Sequence, residues 1–297
     1  MKNILGESGV IRNFLYSDSE KIRSISSQIF EGVSESFVLS KEESKSDSEE
    51  QKGKFASGRL LGDIFTQSTS SQELRFLEDF AYTLLEKKLT DDGLLQEIST
   101  KSVSNEANKS FIKINSKLHV NDLEKSSKTV RDFNEIGEAF WRVTNEQMNW
   151  SANQRILPDA DVKKKAGEIG MQLNKKVAES ATKLLEFGYG NLIEANMIIN
   201  EMIFSAPLKR QFLRENEEMI LHKYSRVSQS EFIMLGIVTY RGYVEEIDPK
   251  IPDVKDADGI KNAMRSLALH LNTFEKTFSA PVKNEIIIDP IAIYSVL

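Results

Sequence analysis

The order of apolar segments along the chain constrains its fold more than any other feature. Strand-like segments lie near both ends of the sequence, and amphipathic helices occupy most of the part between them. This order lacks the regular strand–helix alternation that is typical of a parallel α/β sheet. It predicts an α+β protein with a mixed or antiparallel sheet built from N- and C-terminal strands and with a helical middle.

The predicted strands are short and rich in β-branched and aromatic residues. They are Asn13–Tyr16, Ile112–Val120, Glu231–Tyr240, Ile286–Ile288 and Ile291–Tyr294. Residues alternate between apolar and polar in the second, which indicates a half-buried strand, whereas the third is continuously apolar, as in a central strand. Pro290 favours an edge position or a bulge. Because Tyr16 and Tyr294 each end a predicted strand, we expect the two termini to pair in one sheet.

Helical periodicity predicts the other elements. Ser17 or Asp18 is a good N-cap for the first helix. The further predicted helical segments are Gln72–Leu89, two apolar stripes (Val130 to Trp141 and Ile169 to Leu184), Pro207–His222, and a long final helix from Ile260 to Phe278.

The segment from residue 40 to 58 differs in composition from its surroundings. Lys41–Gly53 contains no apolar residue, so this part has nothing to bury. We therefore expect a strand–helix segment at 1–39, a flexible acidic linker at 40–58, and a main α+β domain at 59–297 that packs with the N-terminal segment.

Composition excludes several chemistries. The chain has no cysteine, which removes disulfides, thiolate nucleophiles, zinc–thiolate sites and iron–sulfur clusters. Its net charge of −6 disfavours broad nucleic-acid binding, which relies on a positive surface. The N-terminus has no signal-peptide pattern, and the longest apolar runs are far shorter than the ~20 residues of a membrane span. We expect a cytoplasmic protein that does not enter a membrane.

No strong catalytic motif is present. The sequence has no phosphate-binding glycine loop and no nucleophile elbow. Gly188 and Gly190 form a G-x-G that follows a helix, so we interpret them as a helix-terminating turn. The histidines, His119, His222 and His270, are too far apart for a metal clamp. The sequence therefore predicts no metal or cofactor and favours a non-catalytic protein.

One weak catalytic alternative stays open. A divalent-metal nuclease needs carboxylates and a lysine together at a strand end. Glu246, Asp248 and Lys250 follow a predicted strand in that way. They also lie in a polar stretch rich in Asp, Pro and Lys, where a solvated turn is the simpler interpretation.

The final helix carries the most suggestive non-catalytic pattern. Its apolar residues recur with near-heptad spacing. They are Ile260, Met264, Leu267, Leu271, Phe274 and Phe278. Such a stripe packs either against the core of its own chain or against a partner helix, in a homodimer or a heteromer. Both interpretations are open at this point.

Two terminal segments, Phe14–Gly32 and Ile288–Tyr294, carry a family resemblance. They are similar to the opening and to the closing strand of an uncharacterised bacterial family, catalogued as domain of unknown function 6414. Phe111–Asp122 and Phe232–Thr239 resemble its two internal strands. The chain departs from the family pattern at Ser17 and lacks the arginine that usually follows the closing tyrosine. The family has no established activity to carry over, and its members resemble accessory genes of bacteria and mobile elements, some of which act in defence against phage.

These observations favour a non-catalytic binding or regulatory protein that acts through protein contacts, as a homo-oligomer or with the product of a neighbouring gene. The resemblance adds a role in an anti-phage or mobile-element system. The alternatives are the metal-dependent nuclease and a sensor that binds a nucleotide or a phage component.

Overall fold

The computed structural model describes residues 11–30, 71–100, 107–145, 157–224, 226–242 and 260–297. The predicted linker at 40–58 and the predicted nuclease residues Glu246, Asp248 and Lys250 lie outside these ranges. The elements are β1 (Arg12–Ser17), α1 (Ser19–Ile29), α2 (Ser71–Asp91), β2 (Leu95–Ser99), β3 (Phe111–Asp122), α3 (Leu123–Arg131), α4 (Phe133–Asn145), α5 (Asp159–Glu168), α6 (Lys175–Tyr189), β4 (Ile193–Ile199), β5 (Met202–Leu208), α7 (Glu217–Tyr224), β6 (Val227–Arg241), α8 (Ile260–Ser279) and β7 (Glu285–Val296).

The chain divides into two units. Unit 1 comprises residues 1–121, 194–246 and 281–297, and unit 2 comprises residues 122–193 and 247–280. Unit 1 contains the sheet, whereas unit 2 contains α3 to α6 and α8. In the sequence, unit 2 is thus formed by two insertions, one between β3 and β4 and one between β6 and β7. The fold is α+β, as predicted.

The sheet of unit 1 closes into a five-stranded barrel in the order β3-β4-β5-β7-β6. Strand β6 pairs antiparallel with both β3 and β7, and β5 pairs parallel with β7. Strands β4 and β5 form a hairpin across a two-residue turn, where Asn200 takes a positive φ of 55°. This order, with one parallel pair and with α7 between the third and fourth barrel strands, is that of the OB fold.

Strands β1 and β2 extend the barrel. Strand β2 pairs parallel with the first half of β3, from Phe111 to Asn115. Strand β1 pairs antiparallel with the end of β7, where Phe14 lies opposite Tyr294. The predicted pairing of the two termini in one sheet is therefore confirmed.

Strand β7 is continuous, although the sequence predicts a break at Asp289-Pro290. Its register with β6 shifts between Leu235 and Gly236, which leaves Ile291 as an extra residue beside Pro290. Of the two predicted positions for the proline, the bulge is thus correct. Gly236 belongs to this bulge, since a Cβ atom there would approach the Asp289 carbonyl oxygen to 2.8 Å.

The alternation predicted for β3 is confirmed, because its inward side chains are all buried. They are Ile112, Ile114, Ser116, Leu118 and Val120. On the β1 side of the sheet, α1 and α2 contribute Ile22, Tyr82 and Leu85 to a core that includes Tyr294 of β7. Tyr82 and Tyr294 meet edge to face with ring centroids 5.5 Å apart.

A buried carboxylate ties four of these elements together. Glu86 of α2 is only 5% exposed and accepts a hydrogen bond from the Tyr294 hydroxyl at 2.9 Å. Its two oxygens also lie 3.0 Å from Arg12 Nη2 and 3.0 Å from Lys113 Nζ. Burial, reinforced by the Glu86 charge, raises the pKa values of both Tyr82 and Tyr294. We call Glu86, Arg12, Lys113 and Tyr294 the Glu86 cluster.

A second buried carboxylate fixes the start of α1. Asp18 is fully buried, and its side chain accepts from the Lys21 backbone N–H at 3.0 Å, so it is the N-cap. Lys21 Nζ lies 2.9 Å from Asp18 and also donates to the Pro290 carbonyl at 3.1 Å. This lysine therefore ties the predicted cap to the bulge of β7.

The helix predicted at Pro207–His222 is wrong. Pro207 belongs to β5, one 3₁₀ turn follows at Arg210–Phe212, and only Glu217–Tyr224 is α-helical. Two cations of this segment pair with other elements, because Arg214 lies 2.5 Å from Asp79 of α2 and Lys209 contacts Asp18. A third cation, Arg210, pairs with Glu217 of α7. The predicted helical middle also contains the hairpin β4–β5.

In unit 2, the helices pack through small residues. Helices α3 and α6 are in contact, and their buried residues are Ser127, Ala178 and Thr182. Helices α4 and α5 enclose Trp141, Val162 and Ala166. Gly137 is required there, since a Cβ atom at this position would clash with the Met171 carbonyl oxygen. Each helix thus buries a narrow face.

Candidate interaction surface

The predicted interaction residues lie on α8, the last helix of unit 2. Met264, Leu267, Leu271 and Phe274 are 49–59% exposed. Phe278, one turn further along, is half-buried. The stripe that sequence reasoning assigns either to the core or to a partner is therefore largely uncovered, and we call these four exposed residues the α8 stripe.

Contact with α6 holds the C-terminal end of α8. The ring of Phe187 lies 5.4 Å from that of Phe274 and 5.7 Å from that of Phe278. Tyr189 meets Phe278 edge to face at 6.5 Å. These aromatic contacts lie at one end of the helix, so they leave Met264, Leu267 and Leu271 open.

The G-x-G segment permits this contact. A Cβ atom on Gly188 would lie 2.6 Å from Phe278 Cδ1, so only glycine allows α8 to approach so closely. Gly190 has a φ of +53° and its N–H caps the Glu186 carbonyl, which ends α6. The predicted helix-terminating turn is confirmed, and Gly188 adds a packing role that the motif does not reveal.

Two further helices of unit 2 carry exposed apolar residues, and some of these residues belong to the two apolar stripes that the sequence predicts. On α4 they are Ile136, Phe140 and Val143, and on α6 they are Val177, Leu184 and Phe187, all between 47 and 62% exposed. We call these the α4 stripe and the α6 stripe. Their spacing repeats every three, four or seven residues, which places each set on one helix face.

Exposure of these stripes follows from which face each helix buries. Trp141 and Gly137 face α5 and the segment after it, so the α4 stripe points away from that small core. The residues that α6 buries are Ala178 and Thr182, and neither belongs to the α6 stripe. Helical periodicity in the sequence marks an apolar face but does not tell whether the same chain covers it.

The two units differ in net charge. The segments of unit 2 contain sixteen Lys and Arg and sixteen Asp and Glu, so their net charge is zero. The whole net charge of −6 therefore belongs to unit 1. The exposed stripes thus occur on the electrically neutral part of the chain.

The barrel carries two neighbouring carboxylates on β4 and β7. Glu194 accepts from the Asn196 amide at 3.1 Å, and Glu285 accepts from the Ser205 hydroxyl. Burial, together with the Glu285 charge, raises the pKa of Glu194, and the Asn196 hydrogen bond opposes the shift. In OB barrels the second and third strands, here β4 and β5, contribute to the ligand face, and acidic groups beside them disfavour a phosphate backbone.

The described part of the chain contains neither a metal-binding group nor a membrane-spanning helix. There, no group of three or more His, Asp and Glu side chains could hold a metal ion. No helix in the same ranges is long and apolar enough to cross a membrane.

Fold and surface together define a class: an α+β protein with a closed five-stranded barrel and an inserted helical unit that exposes apolar faces. The family model described as Domain of unknown function (DUF6414) matches residues 11–294, and the chain belongs to this family. The comparisons with curated proteins and with solved structures gave no significant match.

Proposed function

We propose that this protein is a non-catalytic binding or regulatory protein that acts through protein–protein contacts made by unit 2. The observation that carries the proposal is the exposure of the α4, α6 and α8 stripes. These three stripes supply ten of the twenty-one large hydrophobic side chains that are exposed in the described ranges. Exposed apolar patches mark interaction sites in folded proteins.

Electrostatics supports a protein partner rather than a nucleic acid. Unit 2 has no net charge, and unit 1 is acidic. Nucleic-acid affinity derives mainly from cations that replace counterions on the phosphates. Apolar contact in a neutral unit instead suits another apolar protein surface. A role in an anti-phage or mobile-element system is the finer part of the proposal, and it is supported by the family resemblance alone.

Affinity capture with matched variants tests the proposal. The bait is the full tagged chain, as wild type and as the double variant Phe140→Glu/Leu184→Glu, which places charge in the α4 and α6 stripes. The control bait, Thr144→Glu/Lys183→Glu, changes exposed polar positions on the same two helices.

We expect quantitative mass spectrometry to identify a protein that wild type and control retain and that the stripe variant loses. Identical recovery by all three baits would overturn the proposal. Circular dichroism of each bait confirms that it is folded.

A further inference from the structure

We infer that the α8 stripe is a dimerisation seam, which pairs antiparallel with the same helix of a second copy of this chain. The inference rests on the proposed function and names the partner at one of its surfaces. It draws on the spacing of the stripe, its exposed area and the charges around it.

The spacing of the stripe is that of a coiled coil. Met264, Leu267, Leu271, Phe274 and Phe278 are separated alternately by three and four residues, which corresponds to the a and d positions of a heptad. From Met264 to Phe274 the seam is about 15 Å long, at 1.5 Å per residue. A narrow a/d seam suits a second helix lying along it.

The exposed area is close to what a specific dimer requires. Large apolar and aromatic side chains bury roughly 150–250 Å² each, so half exposure leaves about 100 Å² on each. The four residues of the α8 stripe and the neighbouring Phe187 then offer about 500 Å² per copy. Two copies would bury about 1,000 Å², the lower bound for a specific interface.

The charges around the seam permit self-association. Unit 2 is neutral, so two copies of it meet without net repulsion. The exposed residues that flank the seam include Ala268, His270 and Thr277, with Glu275 as the carboxylate among them. Ala268 is small and lies between Leu267 and Leu271, which allows two helix backbones to approach.

The helix dipoles favour the antiparallel arrangement, and this arrangement sets the layers of the seam. Antiparallel helices place opposite ends of their macrodipoles together. With the two-fold axis at the level of residue 269, Leu267 of one copy faces Leu271 of the other, and Met264 faces Phe274. Each layer thus pairs an a position with a d position, so the same four residues serve both copies.

Light scattering coupled to size-exclusion chromatography tests the inference on the full chain. We expect a mass approaching twice 33.7 kDa as the concentration rises through the micromolar range. Leu271→Glu should raise the dimer Kd at least about tenfold, because it places a charge at the centre of the seam. The control Thr273→Glu puts the same charge on another face of α8 and should leave Kd unchanged.

Disulfide cross-linking tests the direction of pairing, and the chain has no cysteine of its own to interfere. Ala268→Cys, near the axis, should form a covalent dimer under mild oxidation. Thr277→Cys should not, because antiparallel pairing separates the two copies of residue 277 by about 24 Å along the axis.

The unfavourable outcomes are distinct. A chain that is monomeric throughout, or equal Kd values for Leu271→Glu and Thr273→Glu, overturns the second copy as partner. Efficient cross-linking through Thr277→Cys overturns the antiparallel arrangement. Neither result affects the capture experiment, which depends on α4 and α6, so the proposed function stands or fails separately.

Discussion

Replacing Glu86 by glutamine should destabilise unit 1 strongly. The substitution keeps the size of the side chain but removes the negative charge that pairs with Arg12 and Lys113 and that accepts a hydrogen bond from Tyr294. Breaking a buried ion pair on one side typically costs about 3–5 kcal/mol. Here the Arg12 and Lys113 side chains are 22% and 23% exposed. Partial hydration of both cations therefore reduces the expected cost to about 2–4 kcal/mol.

The chain offers a matched control in Glu97→Gln. Glu97 lies 3.1 Å from the same lysine, Lys113, but its side chain is 68% exposed. Exposed ion pairs contribute about 0–1 kcal/mol, so this variant should be nearly neutral. The two substitutions are chemically identical, but Glu86 is buried and contacts Arg12, Lys113 and Tyr294, whereas Glu97 is exposed and contacts Lys113.

Urea titration followed by far-UV circular dichroism measures both variants, and hydrogen exchange of β1 and β7 peptides locates the effect. We expect Glu86→Gln to lower the unfolding midpoint clearly and to speed exchange in β1. Equal midpoints for Glu86→Gln and Glu97→Gln would refute the reasoning, because burial would then make no difference to the value of the charge.

Three further predictions concern Gly236, Glu194 and the buried tyrosines. Gly236→Ala should cost about 1–3 kcal/mol, since its Cβ atom would clash with Ile288 at the bulge; an unchanged thermal midpoint would contradict this. Burial raises the pKa of Glu194 in the folded protein. The folded state therefore loses stability as the pH rises through that pKa and the carboxyl group ionises. Glu194→Gln should raise the urea midpoint at pH 7 but not at pH 4. The raised pKa values of Tyr82 and Tyr294 mean that stability falls as pH rises above about 10, where the unfolded tyrosines ionise. Tyr82→Phe should flatten that decline between pH 9 and 11, and an equally steep decline would count against it.

The strands that sequence reasoning identifies are those whose patterns are local. Strand β3 alternates for its whole length, and β7 and β6 are rich in isoleucine and other β-branched residues. The pairing of β1 with β7 was predictable because strand signals occur at both ends of the chain. Phe14 of β1 and Tyr294 of β7 both place their rings against Tyr82 of α2, whereas the Tyr16 ring meets Phe212.

Strands β4 and β5 were missed because their residues favour no single structure. In β4, Ala195 and Met197 face inward, and both are good helix formers. Glu194 and Asn196 alternate with them and are poor strand formers. Pro207 at the end of β5 resembles a helix start, which led to the wrong helix. These two segments become strands because they close the barrel, not because their residues prefer strand structure.

The site was predictable only in part, for a related reason. Heptad spacing identified the α8 stripe. Helical periodicity placed Phe140 and Leu184 in two other apolar stripes, but it did not reveal that both residues are exposed. A helix with an apolar face needs a partner, and whether that partner is in the same chain depends on tertiary packing. Only the structure shows that Trp141 and Ala178 supply the buried faces instead.

The uneven distribution of buried hydrophobic residues between the two units links fold to function. Most buried hydrophobic residues in the described ranges belong to unit 1, and Trp141, Val162, Ala166 and Ala178 are among the few in unit 2. The barrel thus holds a large core of its own, whereas the inserted helices leave much of their apolar surface exposed. Substitutions in the stripes should therefore change association more than the stability of the barrel, and substitutions in the Glu86 cluster should do the reverse. That reciprocal pattern is what a scaffold carrying a separate interaction unit requires.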